Sequence, residues 1–306
     1  VFTEFGPTPP VPGPKAKDEK IEFGRMLFND PRISGSGQIA CASCHNSELG
    51  FGDGIRTSFG HDRQRGVRNA MPLFAAAWMG LSFWDGRVRG LEEQALASLI
   101  NPVEMAADPD VSVARVNADP RYTDLHQRAF GDQKLTPQLL AEAISAFVRT
   151  IQPRRSLWDR MLAEGSERFD DQQLRGLHLF RTKAGCANCH NGPLLSDQRF
   201  HNIGLTYYGR RYEDLGRYAI TKDRADVGAF RTPSLRGVSR TAPYMHNGLF
   251  PHLRGIVNYY NAGGARPVRK PEQKNDPLFP TTTPILKPLN LSNEEREDLV
   301  AFLETL

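Results

Sequence analysis

Cys41-Ala42-Ser43-Cys44-His45 decides how the rest of this chain is read, and Cys186-Ala187-Asn188-Cys189-His190 repeats it in the second half. Two cysteines separated by two residues, with histidine next, suit a c-type haem: each sulfur adds across a porphyrin vinyl group and the imidazole ligates the iron from its proximal face. A zinc knuckle needs two further ligands, and a thioredoxin-like redox pair needs no histidine in register. The pattern occurs twice and consumes all four cysteines. Two covalently bound haems are therefore expected, with His45 and His190 as proximal ligands.

Outward from the pentads the two halves continue to match. Gly24-Arg25-Met26-Leu27-Phe28 precedes the first as Gly176-Leu177-His178-Leu179-Phe180 precedes the second, and Asn46 and Asn191 follow them. One cytochrome-c-like unit, duplicated and diverged, explains this better than two unrelated modules. The expected fold class is mainly α: two cytochrome-c-like haem domains with long loops. Residues 1–17, carrying Pro7, Pro9, Pro10, Pro12 and Pro14, read as an extended arm, 18–164 as the first haem domain and 165–306 as the second. The division is placed where the helical pattern breaks, at Ala163-Glu164-Gly165-Ser166. Helices are expected from Asp18 to the Asn29-Asp30-Pro31 stop, over 90–100 and 111–118, from Thr136-Pro137, from the Asp170 cap, over 253–260, and from the Ser292 capping box.

With 39% hydrophobic and 24% charged residues in 306, the composition is that of a soluble protein. No apolar run is long enough to span a bilayer, and a net charge of +4 without a basic stripe gives no sign of nucleic-acid binding. Haem is attached to this motif outside the bacterial cytoplasm, so the periplasm is the expected compartment, with a signal peptide already removed. The residues do not disclose an oligomeric state.

Haem function turns on the face opposite the proximal histidine. Downstream of His190 the ligand types are Met245, His201, His246, His252 and several tyrosines, with Met245 the ordinary choice.

Ser58-Phe59-Gly60-His61, Phe83-Trp84-Asp85-Gly86-Arg87, Leu91-Glu92-Glu93-Gln94, Asn101-Pro102-Val103-Glu104-Met105 and Ala242-Pro243-Tyr244-Met245-His246-Asn247-Gly248 complete a further pattern with the pentads. In order and spacing, from about Phe23 to the C-terminus, the chain resembles the bacterial di-haem cytochrome c peroxidase and MauG superfamily. The resemblance implies that the second haem's sixth ligand lies at the end of the helix after Met245, where peroxidases carry methionine and MauG tyrosine. Here that position is Tyr260, and an oxygen donor favours higher oxidation states than a thioether does.

It also implies that the first haem meets hydrogen peroxide, with Gln94 and Glu104 in its distal pocket. A desolvated carboxylate such as Glu104 can take a proton from one peroxide oxygen and return it to the other. His61 matches the histidine that caps this haem in resting peroxidases. Trp84 falls between the haems as an electron relay, Arg87 and Arg89 are placed to pair with propionates, and Asn69, Thr241 and Pro243 match the residues that hold a calcium ion. One departure is Ala184, where MauG has the surface tryptophan that draws electrons from its protein substrate. Trp158, Tyr207, Tyr208, Tyr212 and Tyr218 are alternative exits, each with core packing as the plainer role.

The function implied is a periplasmic enzyme of MauG type. It uses hydrogen peroxide to reach a high-valent di-haem state and oxidises side chains of a partner protein. The alternative is a cytochrome c peroxidase that reduces peroxide to water with electrons from a small cytochrome c or copper protein. A third is a non-catalytic di-haem electron carrier, which would have both irons six-coordinate and inert to peroxide.

Overall fold

The computed structural model describes residues 5–306, so the first four residues of the expected arm lie outside the described part. Contacts divide the chain into two units. The first comprises Pro10–Ser82 and Val88–Gln152. Its helices are α1 (Asp18–Asn29), α2 (Gly90–Ile100), α3 (Pro109–Asn117), α4 (Pro120–Phe130) and α5 (Pro137–Val148). Asp108, Asp119 and Thr136 cap α3, α4 and α5 by accepting backbone N–H groups, and each is followed by proline at the first helical position. Asp119-Pro120 thus carries the same start signal as Thr136-Pro137, but α4 was not expected.

Helix α1 crosses α5 at Gly24, where an added Cβ would stand 1.8 Å from the Ala143 carbonyl oxygen. That approach lets Phe23 and Leu27, both fully buried, reach Leu140 and Ile144 in one core. Beside the crossing, Phe28 meets Phe147 with ring centroids 5.1 Å apart. The short antiparallel strands β1 (Leu81–Ser82) and β2 (Val88–Arg89) complete this unit.

The second unit consists of Phe83–Arg87, Pro153–Leu306 and the described part of residues 1–9. It holds α6 (Leu157–Glu164), α7 (Asp171–Arg181), α8 (Tyr218–Thr221), α9 (Leu253–Asn261), α10 (Asn293–Leu303) and the antiparallel pair β3 (Phe200–His201) and β4 (Phe230–Arg231). Helix α7 crosses α10 at Gly176, whose added Cβ would stand 1.9 Å from the Asp298 carbonyl oxygen. Phe180 then meets Phe302 at 5.1 Å, repeating the Phe28–Phe147 pair of the first unit.

The units part at Gln152/Pro153, twelve residues before the break expected from the pattern, because α6 packs into the second core. Trp158 of α6 is buried against Phe302, 5.7 Å between centroids, and its backbone N–H donates to Thr305. The arm is also packed: Phe5 stands edge-on to Trp158 at 5.5 Å, and the Gly6 carbonyl accepts from Arg236. Among the described residues no helix is long and apolar enough to cross a membrane.

Candidate haem sites

Both pentads fold alike. Each begins as a 3-10 turn in which the first cysteine's carbonyl accepts from the second cysteine and the histidine: Cys41 from Cys44 (3.1 Å) and His45 (3.0 Å), Cys186 from Cys189 (3.2 Å) and His190 (2.9 Å). The turn gathers two sulfurs and an imidazole at one place. None of the four cysteines is in a disulfide. Burial, the largest cause, pushes the Cys41 and Cys186 thiols up to about 12.

The two imidazoles are oriented by the same device. His45 Nδ1 lies 3.0 Å from the Phe51 carbonyl and His190 Nδ1 3.0 Å from the Leu195 carbonyl. A carbonyl only accepts, so Nδ1 carries the proton and Nε2 keeps its lone pair for iron. Phe51 and Leu195 hold their carbonyls there on left-handed backbone, φ 57° and 52°. Burial also holds both imidazole pKa values down, favouring the neutral, ligating form. The thiols, the free Nε2 and the carbonyl that holds Nδ1 all fit a c-type haem at each pentad. Sequence reasoning missed Phe51 and Leu195 because they act through backbone.

At the first pentad, Glu104 Oε1 accepts from the Asn101 side chain at 2.7 Å. Desolvation is the main cause that raises the Cys41 and Cys44 thiols, and the Glu104 charge raises both further, so this carboxylate faces the attachment turn. The His61 N–H donates to the Glu104 carbonyl at 2.8 Å. Gly60 permits the approach: its added Cβ would stand 2.1 Å from the Val103 carbonyl oxygen. His61 Nε2 lies 3.3 Å from the Asp62 carboxylate, while Nδ1 is buried without a hydrogen-bond partner. Gln94, on α2, donates to Ser98 one turn on at 3.0 Å.

At the second pentad, Tyr260 occupies the last turn of α9, its ring 5.8 Å from that of Tyr259. Burial, then the Cys186, Tyr259 and Cys189 groups, raise its phenol well above the ordinary tyrosine value. The phenol is therefore within electrostatic reach of both haem cysteines. Met245 is half-buried on left-handed backbone, φ 69°. Of the three histidines, His201 pairs with Asp197 at 2.8 Å and lies beside Cys189, contacts that push it up to about 10; His246 stacks on Phe230 at 3.5 Å; His252 is exposed at the start of α9.

Trp84 is buried in the second unit, its ring 6.4 Å from the buried His246. Its carbonyl accepts from the Arg231 N–H at 2.9 Å, and Arg217 Nη1 donates to the Asp85 carbonyl at 3.1 Å. Arg87 pairs with the buried Asp85 at 3.2 Å and lies over the Phe83 ring at 3.4 Å. Arg89 is exposed on β2. Of the expected calcium residues, Asn69 is buried in the first unit and donates to the Ile55 and Arg56 carbonyls, whereas Thr241 and Pro243 belong to the second. Trp158 is core, and Ala184 is buried.

Two haem-binding turns, one in each helical unit, define a di-haem c-type oxidoreductase. Comparison with known proteins agrees. The family model described as di-haem cytochrome c peroxidase matches residues 18–168. The chain is 38% identical to cytochrome-c peroxidase IdrP1 of Pseudomonas sp. (strain SCT), over 99% of this chain and 85% of that protein. It is 37% identical to the methylamine utilization protein MauG of Methylorubrum extorquens, over 97% of this chain and 81% of that one. Among solved structures, a MauG-like protein associated with microbial copper homeostasis superposes with a TM-score of 0.86 at 33% identity, covering 98% of this chain and 92% of that chain. The chain belongs to the di-haem cytochrome c peroxidase and MauG family, and is a haem-dependent oxidoreductase.

Proposed function

We propose that this chain is a periplasmic enzyme of MauG type: it takes oxidising equivalents from hydrogen peroxide at the first haem and spends them on side chains of a partner protein. The observation that carries this reading is Tyr260, a phenol and not a thioether, at the end of α9 and within electrostatic reach of Cys186 and Cys189. Haem iron, when bound, supplies the redox chemistry. Covalent attachment falls to Cys41, Cys44, Cys186 and Cys189, and proximal ligation to His45 and His190.

The protein's own groups do the rest. Glu104, oriented by Asn101 and met by the His61 N–H, moves the peroxide proton from one oxygen to the other, and Gln94 is assigned to orient the peroxide. Trp84, fixed by Arg231, is an oxidisable indole suited to relaying electrons between the haems. Arg87, paired with Asp85, would be the residue to meet a propionate. Asn69, Thr241 and Pro243 offer oxygen donors of the hard kind calcium takes.

The test is to mix the ferric protein with one equivalent of peroxide and record optical, EPR and Mössbauer spectra for wild type and Tyr260→Phe. The reading expects a long-lived two-electron-oxidised form in wild type and a changed low-spin spectrum of the second haem in the variant. An unchanged low-spin spectrum in Tyr260→Phe sinks the ligand assignment.

The second reading, a cytochrome c peroxidase fed by a small cytochrome c or copper protein, draws on His61 lying against Glu104 and on relatives named as peroxidases. It expects rapid decay of the oxidised form and a gain in activity on half-reduction.

A further inference from the structure

Loop 203–214 of the second unit carries three tyrosines that neither pentad uses, and loop 265–280 meets it through Asp276 and Phe279. Tyr259 stands 5.8 Å from Tyr260, ring to ring. Its hydroxyl donates to the Ile203 carbonyl at 2.6 Å and accepts from the Ala265 N–H at 2.9 Å, which ties both loops to α9. Tyr207 lies within electrostatic reach of Tyr259 and meets the exposed Tyr212 edge-on at 6.1 Å. Next in the chain, Tyr208 donates its hydroxyl to Asp276 Oδ2 at 2.6 Å and packs its ring on Phe279 at 5.8 Å. Tyr207 and Tyr212 both hold left-handed backbone, φ 50° and 75°, which costs a bulky residue about 1–2 kcal/mol. The fold thus keeps a disfavoured backbone at two of these tyrosines.

What separates Tyr208 from its neighbours is the fate of its proton. A phenol gives up an electron readily only when its proton leaves at the same time. The Tyr259 hydroxyl faces a carbonyl, which is not a base, so that ring can bridge but not hold a charge. Tyr208 faces a carboxylate. Tyr122 also donates to a carboxylate, that of Asp30, but Arg32 binds Asp30 through two nitrogens, and the pair is buried in the first unit.

We propose that Tyr208 is a redox-active phenol at the outer end of an aromatic path, Tyr260 to Tyr259 to Tyr207, by which the second haem draws electrons from an external donor. This rests on the reading of Tyr260 given above. One electron leaves the Tyr208 ring inward, toward the peroxide-oxidised protein, and the phenolic proton crosses to Asp276, leaving a neutral phenoxyl and a carboxylic acid. The donor then supplies one electron to the phenoxyl and Asp276 returns the proton. Tyr208 and Asp276 end as they began, and the donor has lost one electron. The path takes the place of the surface tryptophan whose position Ala184 occupies.

The experiment uses the full haem-loaded chain as wild type, Tyr208→Phe and Asp276→Asn, oxidised with one equivalent of peroxide and re-reduced with ferrocyanide. Stopped-flow spectra follow re-reduction, and freeze-quench EPR follows the organic radical. Tyr208→Phe keeps the ring against Phe279, and Asp276→Asn keeps an acceptor but removes the base. The expectation is normal peroxide oxidation in all three. Tyr208→Phe should lose the tyrosyl EPR signal and re-reduce at least roughly tenfold more slowly. Asp276→Asn should slow re-reduction while the phenol remains, and wild type should show a solvent deuterium isotope effect that Tyr208→Phe lacks. An unchanged radical signal and rate in Tyr208→Phe, in protein that oxidises normally, overturns this inference alone. Failure of wild type to oxidise overturns the parent reading and this one with it.

Discussion

Gly176 lies under the carbonyl of Asp298 so closely that an added Cβ would stand 1.9 Å from its oxygen. Gly24 lies under Ala143 in the same way in the other unit. Each unit therefore closes its core where the helix before its pentad crosses its last helix, at a residue without a side chain. Gly176→Ala or Gly24→Ala must push the helices apart and should cost about 1–3 kcal/mol, the usual range for overpacking. Gly80, with nothing within 4 Å of its added Cβ, serves as control, and Gly80→Ala should stay within about 0.5 kcal/mol. Chemical denaturation of the three variants checks this; equal stabilities would refute the crossing as the packing constraint.

Glu104→Gln keeps the hydrogen bond from Asn101 but removes the base. The rate of reaction with peroxide should fall by about 10²–10⁴, the contribution of a positioned general base, while both haem spectra stay as in wild type. Stopped-flow mixing with peroxide measures it. A rate within a factor of two or so of wild type would move the base elsewhere.

Trp84→Phe leaves a ring beside His246 but one much harder to oxidise. Peroxide should still react, whereas electron exchange between the haems after half-reduction should slow roughly tenfold, about 1.4 kcal/mol of barrier. Flash photolysis of the half-reduced protein reads this rate directly. No change in it would return Trp84 to an ordinary core residue.

Asp159 and the buried Arg236 form an ion pair, and Asp159 also accepts from Ser156 at the start of α6. Burial opposes the charge, but the Ser156 and Arg236 bonds prevail and hold the carboxyl below its ordinary value. With the folded pKa depressed, the stabilisation is present above the unfolded value, about 3.9, and is lost as pH falls through the folded one. Asp159→Asn leaves a buried guanidinium unpaired and should cost about 3 kcal/mol at pH 7. Below the ordinary aspartate value the gap to wild type should narrow. Denaturation midpoints at neutral and strongly acidic pH test the trend; a gap that widens in acid contradicts it.

Much of this was legible in the residues. The pentads disclose chemistry because haem attachment needs two sulfurs and an imidazole in one short turn, so the requirement is local. Gly24 to Phe28 and Gly176 to Phe180 announced the repeated unit, and caps such as Thr136-Pro137 and Ser292 marked helix starts within a residue. Helices α4 and α6 did not show in the periodicity although Asp119-Pro120 marks the first, and residues 157–164, expected in the first domain, pack into the second core. Trp158 could belong to either core by composition, and only its burial against Phe302 decides which.

By itself, then, the sequence determined two haems, a mainly helical duplicated chain and the family to which it belongs, since each depends on residues close together along the backbone. Tertiary structure alone decided which carbonyls turn His45 and His190, which backbone N–H holds Trp84, and that Tyr208 meets Asp276. Those partners are 5 to 147 residues distant in sequence or act through backbone atoms that every residue carries. No side-chain pattern can announce them, because folding, and not proximity in the chain, brings them within hydrogen-bonding range.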